Sequence, residues 1–264
     1  MNHPATEGLI DLHCKTLKLP GLRAAYRELA REALNKGIEP AAFLLSCLEQ
    51  EARSRQEHRL ASRLRAAKFP STKTLDMFDF NAIPNLPKAK VLSLSDGHFI
   101  RNRENVLCLG PSGTGKTHIA IALGLGAIAA GYRVRFIRTV TLAQELLEAQ
   151  QEVRLNRYLK SWHKVDLVVL DELGYLELGP GAPLMFQFAT ERYETGSLLI
   201  TSNLEFSRWG EVFGDTALTT ALLDRVTHRS HVLLFDGESY RFRESRKRLR
   251  DDRPGPTPPE RKGD

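Results

Sequence analysis

From Val106 onward, short aliphatic runs alternate with longer segments of helical spacing. Val106–Leu109, Val134–Ile137, Leu167–Leu170, Leu198–Thr201 and Val232–Phe235 are the five runs. Runs that stay apolar, rather than alternating with polar residues, belong to strands covered on both faces, with helices as the crossovers between them. The pattern predicts an α/β fold built on a five-stranded parallel sheet. Residues 1–69 read differently. Pro20 and Pro40 punctuate amphipathic stretches such as Leu22–Ala30, no strand pattern intervenes, and a small all-helical domain is expected. Its third segment, about Ala41 to Lys68, opens with Phe43, Leu44, Leu45 and Leu48 and then turns strongly charged. Glu49 with Arg53, and Glu51 with Arg55, support a helix at i,i+4 spacing. Arg55, Arg59 and Arg63 instead stack like charges on one face, which either solvent screens or a polyanion neutralises.

Residues 70–90 carry Pro70, Pro84 and Pro87 with aromatic anchors at Phe78 and Phe80, the mark of a linker that packs against something rather than a free spacer. The second domain is placed at residues 91–245. Residues 246–264 turn basic and then run into Pro254-Gly-Pro-Thr-Pro-Pro, a tail with too little apolar surface to fold. The net charge of +6 gathers at the two ends. Residues 1–69 hold 12 Lys and Arg against 8 Asp and Glu, residues 70–245 hold 19 against 20, and residues 246–264 hold 7 against 4. Basic ends flanking a neutral middle suit a nucleic-acid contact, although solvated helix faces and a free tail give the same count. The longest nearly apolar run, Ile119–Ala130, is too short to cross a bilayer. The first residues show neither a basic nor an apolar secretory region. The three cysteines, Cys14, Cys47 and Cys108, are scattered. A cytoplasmic protein without membrane contact is the expectation.

The segment Gly110, Pro111, Ser112, Gly113, Thr114, Gly115, Lys116, Thr117 matches G-x-x-x-x-G-K-[ST] at every fixed position, between an expected strand and an expected helix over His118–Ala130. Glycines let backbone N–H groups curl around phosphate oxygens, and the helix amino terminus adds positive potential. Lys116 is expected to reach the β- and γ-phosphates of ATP, and the Thr117 hydroxyl to ligate Mg²⁺. The run Leu167–Leu170 delivers Asp171 and Glu172 at its carboxyl end, where parallel sheets place ligands. Asp171 is then a Mg²⁺ ligand and Glu172 the general base that activates water. Asp171-Glu-Leu-Gly174 also fits the D-x-x-G of GTPases, but no guanine-reading N-K-x-D accompanies it.

The adjacent Asp-Glu resembles the Walker B strand of AAA+ ATPases. Two further residues follow from that resemblance. Asn203, ending Leu198-Leu-Ile-Thr-Ser-Asn203, stands where the family's sensor 1 touches the attacking water or the γ-phosphate, unless Ser202-Asn203 only caps a helix. Arg225 stands where related initiator ATPases carry an arginine finger for the neighbouring subunit, unless it is a paired surface residue. The whole chain resembles the IstB-like ATPases of bacterial insertion sequences, relatives of the helicase loader DnaC. Ala67-Lys-Phe-Pro70, Lys73–Phe80, Gly110 to His118, Asp171-Glu-Leu-Gly-Tyr175, Thr201-Ser-Asn-Leu204, Leu223-Asp-Arg225 and Gly237-Glu-Ser-Tyr-Arg241 carry the likeness. It implies an AAA+ P-loop ATPase core, His118 as part of the nucleotide site, and homo-oligomers formed with ATP and DNA. It further implies double-stranded DNA bound with little sequence preference and stimulation of a partner transposase; the charge row of Arg55, Arg59 and Arg63 offers candidate DNA contacts. A DnaC-like helicase loader and a chaperone-like remodeller are the alternatives. Arg241 is the nearest counterpart of a sensor 2 arginine.

Overall fold

In the computed structural model, residues 4–237, 239, 240 and 242 are described, and the chain divides into two compact units meeting between Arg65 and Ala66. Arg241 and the tail 246–264 lie outside the described residues.

The first unit is helical: α1 (Pro4–Thr16), α2 (Pro20–Lys36) and α3 (Pro40–Ala67). Each helix opens on a proline, whose missing N–H costs nothing at a helix start. α2 ends at Gly37, where φ of 60° turns the chain and the Gly37 and Ile38 N–H groups bond to Ala33 O. Gly21 lets α2 approach α3, since a Cβ there would lie 2.5 Å from Ser54 Cβ. The Leu22 N–H donates to Glu51 Oε2 at 2.9 Å, and Cys14, Tyr26 and Cys47 are buried nearby in sequence terms within the same unit. Arg27 joins α2 to α1 through Glu7 at 2.9 Å and Asp11 at 2.6 Å. The apolar opening of α3 is not core: Leu44, Leu45 and Leu48 are exposed.

The second unit contains α4 (Lys88–Leu94), α5 (His98–Arg101), β1 (Asn105–Leu109), α6 (Lys116–Ala129), β2 (Val134–Arg138), α7 (Thr139–Gln151), α8 (Leu155–Ser161) and β3 (Leu167–Leu173). It continues with α9 (Ala182–Thr195), β4 (Ser197–Ser202), α10 (Gly210–Phe213), α11 (Thr216–Thr227) and β5 (Ser230–Leu234). The strands form one parallel sheet in the order β2-β3-β4-β1-β5. The five expected strands are all present, with ends that agree to within three residues. Side chains alternate between two cores, as the pleat requires. Leu107, Leu109, Val168 and Leu170 face α7, α9 and α11, while Val106, Cys108, Leu167 and Val169 face α4, α5 and α6. Arg192 on α9 is buried and donates to the carbonyls of Trp162, Val165 and Asp166, which fastens the entry of β3. Burial lowers its guanidinium pKa to about 10, against the pull of Asp166. No helix among the described residues is long and apolar enough to cross a membrane.

Candidate active site

β1 ends at Leu109, and the chain must turn sharply to enter α6 at Lys116. Gly110 takes φ of 145°, and a Cβ there would sit 2.0 Å from the Phe235 carbonyl that follows β5. At Gly115, φ is 96° and a Cβ would meet the Phe78 ring at 2.7 Å. The loop is therefore confined by the exit of β5 and by the linker, which only glycine tolerates at such angles. Lys116, buried at the start of α6, arches back so that Nζ donates to Gly110 O at 2.6 Å and Pro111 O at 2.7 Å. Beneath it, burial pushes the Cys108 thiol up to about 12, with Lys116 opposing.

Three elements converge on Asp171. Its Oδ1 accepts from Thr117 Oγ1 at 2.9 Å and from Thr201 Oγ1 at 2.5 Å, and its carbonyl accepts from Thr139 Oγ1 at 2.9 Å. Thr201 Oγ1 in turn accepts the Glu172 N–H at 3.0 Å. This hydroxyl lattice explains why β3 runs past Leu170. The register breaks between Leu170 and Leu173, and Glu172 takes φ of 63°, so its half-buried carboxylate turns away from the ladder. Arg138, the last residue of β2, holds that carboxylate at 3.4 Å. Asn203 lines the same cavity, with Oδ1 buried beside Gly174 and without a hydrogen-bond partner among the described residues. Tyr175 shares a hydrogen bond of 2.8 Å with Ser112 Oγ, which joins the segment after β3 to the loop.

The linker forms the opposite wall. His118 Nε2 donates to Thr74 O at 2.8 Å, and its ring meets Phe78 edge-on at 5.2 Å. Burial lowers the His118 pKa, the Thr74 carbonyl opposes, and Lys73 lowers it further. The cavity measures about 590 Å³, within the range of ligand sites. Residues 112–118, Asp171, Glu172 and Asn203 line one part, and Met77, Phe78, Ile83, Ile121 and Phe136 give it an apolar end. The Thr117 hydroxyl and the Asp171 carboxylate present hard oxygen donors side by side, a chemistry that fits Mg²⁺.

Gly110 and Pro111 contribute their carbonyls to Lys116 rather than cavity wall. Arg225 does not line the cavity; it lies on α11 with Nη1 donating to Ala221 O at 3.0 Å and its guanidinium over the Phe186 ring. Arg55, Arg59 and Arg63 lie on α3. Arg55 is tied within its own unit, to Glu51 Oε1 at 2.7 Å and Lys18 O at 2.8 Å. Sequence reasoning gave Thr201, Arg138 and Tyr175 no role in the site, Thr201 and Tyr175 entering only as part of the family likeness, and expected the linker to pack without saying against what. A signal existed for the first two, since polar residues ending aliphatic runs mark the ligand edge of a parallel sheet.

A sequence profile of IstB-like ATP binding proteins matches residues 12–248. The chain belongs to that family. Among its relatives is the IS21 insertion-sequence protein of Pseudomonas aeruginosa, named for ATP binding. It is 42% identical over 239 residues, which cover 90% of each chain. The IS5376 protein of Geobacillus stearothermophilus, named likewise, is 40% identical over 90% of this chain and 95% of its own. In solved structures the same fold occurs in AMPPCP-bound DnaA from Aquifex aeolicus, with a TM-score of 0.54 and 20% identity over 69% of this chain and 56% of that one. DnaI shares it with a TM-score of 0.52 and 18% identity over 63% of this chain and 89% of that one. The second unit is an AAA+ P-loop fold.

Proposed function

We propose that this IstB-like protein binds and hydrolyses ATP with Mg²⁺, engages double-stranded DNA with little sequence preference, and stimulates a partner transposase. The observation that carries the hydrolytic part is the Asp171 lattice, which holds Thr117 and Glu172 on the same 590 Å³ cavity that Lys116 lines. Lys116 exchanges its two loop carbonyls for phosphate oxygens, and the loop N–H groups share that charge. Thr117 and Asp171 hold Mg²⁺, which on binding offsets charge on the β- and γ-phosphates. Glu172 orients a water and takes its proton as the water oxygen bonds to the γ-phosphorus, leaving ADP and phosphate; such a base contributes about 10²–10⁴ in rate. Arg138 fixes the Glu172 carboxylate, and Asn203 orients the same water. The apolar end of the cavity takes the base.

Transposition is supported by relatives that carry the names of insertion sequences and match this chain nearly end to end. Those relatives also favour a transposition helper over a helicase loader of shared fold. A cytoplasmic setting supplies both ATP and DNA. Arg225 is held clear of its own chain's cavity, which suits a residue that acts in the next subunit's site. Mixing Arg225→Ala with Lys116→Ala should then regain turnover that each lacks alone; an inactive mixture of co-assembled subunits removes the trans role. The overall test is phosphate release and DNA strand transfer, measured with a transposase from an insertion sequence of a related family member, with and without duplex DNA. No ATP-dependent gain in strand transfer would overturn the transposition reading, and no phosphate release under any condition the hydrolytic one.

A further inference from the structure

The near-neutral balance of residues 70–245 hides an uneven surface. From Val153 to Val165 the chain holds four Lys and Arg and no Asp or Glu. Leu155, Tyr158, Leu159 and Trp162 turn inward onto the core under α7 and α9. Arg154, Arg157, Lys160 and Lys164 are left at spacings of three, three and four, which puts them in one exposed row along α8 and the turn after it. Arg154 is answered by Glu152. Arg157, Lys160 and Lys164 have no side-chain hydrogen bond or ion pair among the described residues.

The row is held rigidly. Tyr158 donates to the Glu145 carboxylate of α7, and burial together with that carboxylate raises its phenol pKa. Trp162 packs edge-on against Tyr158 at 6.1 Å and Phe188 at 5.3 Å. Three like charges fixed on one helix face repel one another, and a polyanion turns that repulsion into affinity. Arg157 to Lys164 spans roughly 10 Å of helix axis. One strand of a duplex carries a charge about every 3.4 Å, so the row lies along about three phosphates. Lysine ammonium groups bind phosphate as point charges and read no base.

We infer that α8 and the turn after it form a nucleic-acid backbone contact of the AAA+ unit, with Arg157, Lys160 and Lys164 each taking a phosphate. The inference rests on the DNA-binding reading above and adds a surface outside the helical unit. The test uses the full chain with ATP and a labelled duplex of random sequence, with affinity followed against salt concentration. The triple variant Arg157→Ala/Lys160→Ala/Lys164→Ala should bind more weakly, and the log–log salt slope should shrink by roughly 2–3, about 0.9 per phosphate. The swap Arg157→Lys/Lys160→Arg/Lys164→Arg should keep the parental slope. If the triple alanine variant no longer binds ATP, the three single alanine variants are read instead, each expected to lower the slope by about 0.9. A slope equal to that of the parent overturns this surface alone. A parent that binds no duplex overturns the DNA reading and this surface with it. An unchanged slope with lost transposase stimulation overturns it in favour of an acidic protein partner.

Discussion

The nucleotide cavity and the arginine face of α3 are two ways in which charged residues enter a fold. In the cavity most polar groups are answered inside the chain, Lys116 by two loop carbonyls, Asp171 by two hydroxyls and the Glu172 N–H by Thr201, while Asn203 Oδ1 has no hydrogen-bond partner among the described residues. On α3 the three arginines share a spacing but not a situation. Arg55 braces Glu51 and the Lys18 carbonyl, whereas Arg59 and Arg63 have no side-chain hydrogen bond or ion pair among the described residues. A motif whose chemistry needs fixed partners carries those partners with it, so its spacing is informative. A charge row has its partner outside the chain, and spacing alone does not separate a brace from a contact.

Breaking the cavity should have the largest effects. Glu172→Gln keeps the shape and the Mg²⁺ donors while removing the proton acceptor, so turnover should fall about 10²–10⁴-fold with ATP still bound. Single-turnover phosphate release beside equilibrium titration checks both halves, and parental turnover would remove Glu172 as the base. Lys116→Ala removes a buried charge from the phosphates and should weaken ATP binding by about 2–5 kcal/mol, some 30-fold to several thousand-fold. Titration with a fluorescent ATP analogue reads it, and binding equal to the parent would remove the site.

The arginine face sharpens the contrast at a smaller scale. Arg55→Ala should cost the helical unit about 1 kcal/mol, discounted for the half-exposed guanidinium, and leave duplex affinity little changed. Arg59→Ala/Arg63→Ala should do the opposite, lowering the salt slope of duplex binding with the melting temperature unchanged. Equal behaviour of the two variants in both assays would erase the distinction.

Acidity gives the smallest and most separable effects. Burial favours neutral Glu51, but the Arg55 guanidinium and the Leu22 and Gly21 N–H groups together outweigh it, so its pKa lies below the ordinary 4.5. The folded unit binds fewer protons there than the unfolded chain. Its stability from this residue is full above about pH 4.5 and declines as the pH falls below that. His118 is likewise depressed from 6.5, so the linker's hold on α6 should be full above that pH and weaken below it. Melting curves and nucleotide affinity between pH 7 and 4 should show the cavity loosening before the helical unit does. His118→Gln should remove the first step and keep the second.

Much of the fold was legible because buried parallel strands leave unbroken aliphatic runs, and all five runs became strands. The loop and the Asp-Glu pair were legible because phosphate and Mg²⁺ demand particular groups at particular spacings. Less legible was how those groups are held. Thr201, Arg138 and the linker act through contacts between elements far apart in sequence; the ends of aliphatic runs mark where Thr201 and Arg138 lie, but not which groups they hold. The bulge at Glu172 is of this kind, since it follows from hydroxyls on β4 and α6 capturing Asp171. The exposed Leu44, Leu45 and Leu48 show the converse limit, that an apolar run specifies burial only where a covering element is available.

Glutamate is a poor choice for the backbone at position 172, where φ of 63° favours glycine by about 1 kcal/mol. The proposed role of Glu172 as the base requires a carboxylate there in spite of that cost. A gene copy released from the need to hydrolyse would gain thermal tolerance by exchanging Glu172 for glycine. A copy with glycine at 172 is therefore expected to melt at a higher temperature and to turn over ATP more slowly, even where the loop and the rest of β3 remain intact.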